Sequence, residues 1–136
     1  MNLNIDKMSM ADFAKSLQEQ VKVRAIAKQN DRFRSTWGAD FTIGGQIVFT
    51  QSVSAESVAW TTAIMAAVQR FSDFNEDNDP YGDHSFAAVD VTVGGETKKV
   101  FFKIDLYDLT YKNGSEHPTD LDQTRRVMTI MFPSDY

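Results

Sequence analysis

The sequence predicts a two-layer α+β domain, with an antiparallel sheet of about four or five strands and two helices packed on one face. Three observations predict this class: two segments with apolar residues at helical spacing, several segments with alternating apolar residues, and glycine pairs between them. A chain of 136 residues with 42% hydrophobic residues is long enough to bury one ordinary core. We therefore expect residues 1–136 to form a single domain.

Two helices are expected, one from Ser9 to about Asn30 and one from Ser54 to about Arg70. Serine is a preferred residue at the N-terminus of a helix, because its side chain accepts a hydrogen bond from a free backbone N–H group. The second helix has one apolar stripe, which we expect to face the core. The stripe consists of Trp60, Ile64, Ala67, Val68 and Phe71.

The strand segments are separated by glycine pairs and polar stretches. We expect Gly44-Gly45 and Gly94-Gly95 to form the turns of two hairpins, because paired glycines adopt tight two-residue turns readily. The final strand follows a long polar stretch. The expected strands are Phe41–Ile43, Gln46–Phe49, Phe86–Val93, Lys99–Tyr107 and Arg125–Phe132.

Composition excludes several classes of function. The chain has no cysteine, which excludes disulfides, thiolate metal sites and thiol nucleophiles. Its formal net charge is −5, and the acidic excess lies after residue 34. Because nucleic-acid phosphates attract basic surfaces, we expect no direct nucleic-acid binding and favour a basic protein surface as partner. No complete nucleotide-binding motif and no apolar segment of signal or membrane-spanning length is present, so we expect a cytoplasmic protein without cofactor or membrane contact.

The most unusual segment is Asp73–His84, which contains five carboxylates and a histidine. Its run 79–82, Asp-Pro-Tyr-Gly, has the residues preferred in a type I turn, so part of the segment is explained by local structure. We expect Phe74 and Tyr81 to pack over the edge of the sheet. The alternating acids and amide at 73, 75 and 77 match the start of a calcium-binding loop, but the turn glycine and final glutamate of that loop are missing. The remaining acids and His84 need another explanation.

A second acidic group lies in residues 105–122 and includes His117, the other histidine of the chain. If both groups meet at one end of the sheet, their imidazole and carboxylate groups would suit a divalent metal that activates water. The sequence therefore leaves open a metal-dependent hydrolase. Its candidate ligands or bases are Asp79, Asp83, His84, Asp105 and Asp108.

Several motifs resemble those of an uncharacterised bacterial family of unknown function. They are Asn-Asp-Pro-Tyr-Gly-Asp-His at 78–84, Phe-Lys-Ile-Asp-Leu-Tyr-Asp at 102–108, and Arg-Val-Met-Thr-Ile-Met at 126–131. The usual family box reads Asn-Asp-Pro-Tyr-Gly-Glu-His-Asp-Phe-Gly, and Asn-Asp-x-Phe-Arg at 30–34 is similar to an opening element of the family. In this chain Ser85 replaces the aspartate after the histidine, which removes a carboxylate beside His84.

The resemblance implies a bacterial or mobile-element origin but no activity. Small size, acidic asymmetry and the lack of a complete catalytic motif favour a non-enzymatic accessory protein that binds a basic protein surface. One form of this hypothesis is an inhibitor that occupies the basic groove of a host defence or nucleic-acid-binding complex. A homo-oligomeric structural protein is a further alternative. The residues expected to contact the partner are Asp73, Glu76, Asp77, Asp79, Asp83 and Asp108.

Overall fold

The computed structural model describes residues 9–136, which form a four-stranded sheet with its helices on one face. This arrangement confirms the predicted two-layer α+β class. The spatial order of the strands is β1-β4-β3-β2. In chain order the elements are α1 Met10–Ser35, β1 Gly45–Phe49, α2 Gln51–Ser54, α3 Val58–Arg70, β2 Phe86–Val93, β3 Glu96–Tyr107, β4 Arg125–Met131 and a 3₁₀ turn Pro133–Asp135.

The predicted hairpin around Gly44-Gly45 is wrong. Residues 41–43 form a turn, and β1 pairs in parallel with β4, in a register that sets Gly45 opposite Arg126. A side chain on Gly45 would collide with the backbone oxygen of Arg126 and come within 2.9 Å of the Phe33 ring. Gly45 therefore allows close contact between two strands and a helix, and the sheet is mixed, not wholly antiparallel.

The first helix is longer than predicted, since α1 continues past Asn30 to Ser35. Its predicted start is confirmed: the backbone N–H of Asp12 donates to the Ser9 hydroxyl at 3.1 Å. Buried Phe33 and Arg34 anchor the last turns and extend the helix beyond the point that apolar spacing indicates. Within residues 9–136, no helix is both long enough and apolar enough to cross a membrane.

The second predicted helix is interrupted. Ser54 ends the short helix α2, and Ser57 caps α3, where its hydroxyl accepts a hydrogen bond from the N–H of Trp60 at 3.3 Å. The stripe of α3 faces the sheet as predicted, because Trp60, Ile64 and Val68 are buried. The helix therefore begins later than expected but contributes the expected residues to the core.

The core lies between the helices and one face of the sheet. The second hairpin is confirmed: β2 and β3 pair in antiparallel fashion, with Val93 opposite Glu96, so β3 starts before the expected Lys99. The last strand ends at Met131, one residue before the expected end. Inward-facing residues alternate along each strand. The buried sheet residues of this core are Ala87, Val89, Val91, Val100, Phe102, Ile104, Met128 and Ile130.

Candidate functional site

Residues 73–84 form a loop that is held by its own amide side chains. The carboxamide of Asn78 donates to the carbonyl of Asp73 at 2.7 Å, and its oxygen accepts from the N–H of Asn75 at 2.8 Å. The side chain of Asn75 accepts in turn from the N–H groups of residues 77 and 78. The N–H of Gly82 donates to the carbonyl of Asp79 at 3.0 Å, which confirms the predicted turn. The amides that suggested a calcium loop are therefore used to shape the backbone.

The side chain of His84 is fixed on two sides. Its Nδ1 lies 2.9 Å from both carboxylate oxygens of Asp31, a residue of α1. Its ring stacks on Phe74, with centroids 3.9 Å apart and an angle of 4° between the planes. The backbone of His84 has a φ of 55°, which residues other than glycine adopt uncommonly. Because Asp31 occupies Nδ1, the other ring nitrogen, Nε2, is the one that faces Asp79.

Asp79 is a buried carboxylate at this site. Only 7% of its side chain is exposed, and its Oδ2 lies 3.6 Å from Nε2 of His84. Burial raises the pKa of Asp79, because a carboxylate removed from water loses hydration of its charge, while the nearby His84 opposes this effect. The ionised form of Asp79 is thus disfavoured by burial and only partly stabilised by His84 and by the backbone N–H groups of His84 and Gly82.

Arg34 lies behind this pair and connects it to the core. Its buried guanidinium donates to Asp31 at 2.8 Å and to the carbonyls of Val68 and Phe71 at 2.9 and 2.8 Å. It also lies over the ring of Phe74, 5.5 Å from the centroid. Burial lowers the pKa of Arg34, while Asp31 counteracts this shift. The end of α3, α1 and the His84 site are therefore joined through one side chain.

A second buried network holds the loop to β4. The carboxamide of Asn30 donates to the carbonyl of Asp83 at 2.8 Å, and its oxygen accepts from Nε of Arg126 at 2.8 Å. Arg126 also donates to Gln29 at 2.9 Å. Burial lowers the pKa of Arg126 to about 10. This network positions the backbone immediately before His84.

A cleft of about 530 Å³ lies between α1 and the loop, and His84 and Asp79 line it. Val23 and Pro80 contribute apolar surface, and the ring of Tyr81 stands at this cleft with 83% of the residue exposed. The expectation that Tyr81 packs over the sheet is therefore wrong. Phe74 does pack against the core. The cleft has the size range of ligand-binding pockets, which are commonly about 300–1,000 Å³.

The structure separates the six predicted partner-binding acids into two groups. Asp73, Glu76 and Asp77 lie exposed on the loop. The other three take part in local structure. Asp79 is buried beside His84, Asp83 accepts from Ser85 at 2.8 Å, and Asp108 accepts from Thr110 at 2.8 Å, with hydrogen bonding that lowers the pKa of Asp108.

The candidate hydrolase residues are brought together only in part. His84 and Asp79 face each other, and Asp79, Asp83 and Asp105 line one shallow depression. Asp108 instead closes its own turn. His117 is held in a separate turn, where its N–H donates to Ser115. Among residues 9–136, no group of three or more histidine and acidic side chains is arranged to hold a metal ion.

Sequence reasoning missed four residues that build the site. Three of them lie in the run 30–34, which also resembles an opening element of the family, and the fourth begins the run 126–131. Asp31 and Arg34 of the first run are three positions apart and so share one helix face. The missed residues are Asn30, Asp31, Arg34 and Arg126.

The model of a family described as Protein of unknown function (DUF3768) matches residues 49–135. The chain belongs to this family. The DUF3768 match contains α3, the loop with His84 and β2 to β4, whereas Asp31 and Arg34 of α1 and all of β1 except Phe49 precede it. No curated protein and no solved structure matches the chain.

Proposed function

We propose that this protein is a non-enzymatic interaction protein that uses its acidic loop to bind a basic protein surface. The observation that carries the proposal is the arrangement of Asp73, Glu76 and Asp77, which lie exposed on a loop whose backbone is fixed by Asn75 and Asn78. Such a loop loses little conformational entropy on binding, and its charges attract a cationic surface. One partner of this kind is the basic groove of a defence or nucleic-acid-binding complex of the host.

Some of the predicted partner-binding acids form hydrogen bonds within the fold. The expected contact surface is therefore smaller than predicted. Asp83 and Asp108 stabilise turns, so their replacement would alter the protein as well as any interface. Asp73, Glu76 and Asp77 are exposed, and surface substitutions usually change stability by less than about 0.5 kcal/mol. They are the appropriate residues for a test.

The test compares two triple variants. Asp73→Asn, Glu76→Gln and Asp77→Asn neutralise the loop, whereas a control neutralises three exposed acids elsewhere. Each triple changes the formal net charge from −5 to −2, so only the position of the lost charge differs. The control substitutions are Asp90→Asn, Glu96→Gln and Glu116→Gln.

Proteins retained by the native chain from a bacterial lysate would be purified and titrated against all three forms at several salt concentrations. We expect the loop variant to bind at least about tenfold more weakly than the control variant, and native binding to weaken with salt, because screening reduces attraction between exposed charges. Equal binding by the two variants, or binding that is indifferent to salt, would contradict the proposal.

A second candidate function is a metal-dependent hydrolase. It is supported by His84, whose Nδ1 is held by Asp31 while Nε2 faces Asp79, an arrangement that orients an imidazole for proton transfer. The test is hydrolysis of a nitrophenyl phosphodiester with Mg²⁺, Mn²⁺ or Zn²⁺. The hydrolase predicts activity that His84→Gln removes and His117→Gln retains. No activity, or equal activity of both variants, excludes it for this substrate class.

The homo-oligomeric alternative is tested by light scattering during size-exclusion chromatography. A structural role in an assembly requires a mass above that of one 15.4 kDa chain. A monomeric mass at all concentrations tested would remove this alternative. It would leave the acidic-loop proposal in place.

A further inference from the structure

The cleft between α1 and the loop combines negative charge with apolar and aromatic surface. Three carboxylates and one guanidinium line it, which gives a formal charge of −2 when His84 is neutral. Val23 and Pro80 line the same cleft. A ligand that suits it carries a positive charge and a flat or aliphatic part. The charged residues counted here are Glu19, Glu76, Asp79 and Arg24.

Asp79 is the strongest indication that a cation belongs in this cleft. Its side chain is 93% buried, since 7% is exposed, yet the cationic partner within reach is His84, whose Nε2 lies 3.6 Å from Oδ2 and which is charged only when protonated. This separation exceeds the length of a good hydrogen bond. Backbone N–H groups of Gly82 and His84 provide some compensation. A bound cation would supply the charge partner that water supplies to an exposed carboxylate.

The exposed ring of Tyr81 is the second feature of the cleft that suits a cation. The turn between Asp79 and Gly82 projects its ring into solvent beside the cleft. Tyrosine is enriched at interfaces, because its ring provides apolar contact area while its hydroxyl stays in contact with water. A planar cation can stack on such a ring and at the same time reach a neighbouring carboxylate.

From these features we propose that the cleft receives an arginine side chain of the basic partner, with the guanidinium bound to Asp79 and covered by the ring of Tyr81. This inference rests on the proposed function and names the group that the partner inserts. Arginine fits better than lysine because its guanidinium is planar, binds a carboxylate through two donors and is more weakly hydrated.

The first experiment uses the intact protein and acetyl-arginine amide as probe, followed by NMR. The matched probe is acetyl-citrulline amide, which has nearly the same shape and no charge. We expect arginine to shift the signals of residues 79–84 and Val23 in a saturable manner, and citrulline to bind at least about tenfold more weakly. Equal titration by both probes, or no saturable shift with arginine, would overturn the inference.

Variants then locate the binding group. Asp79→Asn and Tyr81→Ala should each weaken arginine binding severalfold, whereas Asp77→Asn, on the same loop but outside the cleft, should not. Arg24→Gln should tighten binding, because it removes a like charge from the cleft. Tyr81 and Arg24 are exposed, so these two changes test the site without altering the buried carboxylate. Equal effects of Asp79→Asn and Asp77→Asn would show attraction to general negative charge and overturn the inference.

The two proposals fail separately. If arginine does not bind the cleft but partner binding remains sensitive to salt and to the loop triple, only the cleft inference is wrong. If arginine binds the cleft but partner binding ignores salt and the loop triple, the acidic-loop function is wrong. The probe titration therefore gives a result that does not depend on having identified the partner.

Discussion

The Nδ1 atom of His84 lies 2.9 Å from both carboxylate oxygens of Asp31, and the two residues are 53 positions apart in the chain. Asp31 also accepts a hydrogen bond from buried Arg34 at 2.8 Å. One carboxylate therefore orients the histidine of the loop and provides the charge partner of a guanidinium in the core. Asp31 thus couples the loop to Arg34, and Arg34 in turn donates to carbonyls at the end of α3.

Replacing Asp31 with asparagine should destabilise the protein. The change leaves Arg34 without its charged partner, and only 3% of the Arg34 side chain is exposed. The carboxylate itself is 41% exposed, so the expected loss is about 1–3 kcal/mol in the free energy of unfolding, below that of a fully buried pair. Urea denaturation measures this loss.

The control for this prediction is Asp90→Asn. Asp90 pairs with Lys99 at 3.1 Å, but both side chains are more than half exposed. Such pairs contribute little, and the expected loss is below about 0.5 kcal/mol. Similar losses for the two variants would show that the contacts of Asp31 do not support the fold.

The pH dependence of stability should reveal the buried state of Asp79. Because burial raises its pKa in the folded protein, the folded state holds this proton more tightly than the unfolded state. The free energy of unfolding therefore falls as the pH rises above 3.8, the ordinary pKa of an aspartate, and it stays lower at neutral pH. Asp79→Asn should therefore gain stability relative to the native chain between acidic and neutral pH, as measured by urea denaturation. A relative loss over this range would contradict the prediction.

Asp108 should affect stability in the opposite direction from Asp79, because its ionised form stabilises the folded protein. The hydroxyl of Thr110 and nearby backbone N–H groups favour its ionised form and lower its pKa in the folded protein. The stability that ionised Asp108 contributes is fully present above its ordinary pKa of 3.8. It is lost as the pH falls through the lower pKa of the folded protein. Asp108→Asn should thus be less stable than the native chain at neutral pH, and the difference should shrink in acid. A difference that is constant with pH would show that ionisation of Asp108 is not involved.

Asn30 should be important for stability although it is polar. It is fully buried, and it donates to the carbonyl of Asp83 and accepts from Arg126. Asn30→Ala leaves both groups without these bonds and should cost about 2–4 kcal/mol. Gln18→Ala on the exposed part of α1 is the control, with an expected change within about 0.5 kcal/mol. Equal melting temperatures of the two variants would contradict this role.

Gly45 should not tolerate a side chain. An added methyl group would collide with the backbone of Arg126 and contact the Phe33 ring, so Gly45→Ala should cost at least about 2 kcal/mol or separate β1 from β4. Gly114→Ala is the control, because its methyl group would meet nothing closer than 3.9 Å. Hydrogen exchange of β1 amides measures the pairing directly. Unchanged protection in the Gly45 variant would contradict the close approach.

Elements whose signal is local were predictable from the sequence. The stripe of α3 and the pairing of β2 with β3 across Gly94-Gly95 follow from apolar spacing and from a turn between adjacent segments. The turn at residues 79–82 was predictable for the same reason. In each case the residues that decide the structure are close together in the chain.

The sequence by itself determined the two-layer class, the hydrophobic faces and the acidic character of the chain. Only the tertiary structure decided that Gly45 joins β1 to β4 in parallel, that Asp79 is buried while Asp77 is exposed, and that His84 binds Asp31. Periodicity specifies which face of an element is buried, because that depends on neighbouring residues. The partner of a strand or a carboxylate depends on how distant segments pack, and local residue spacing does not predict that packing.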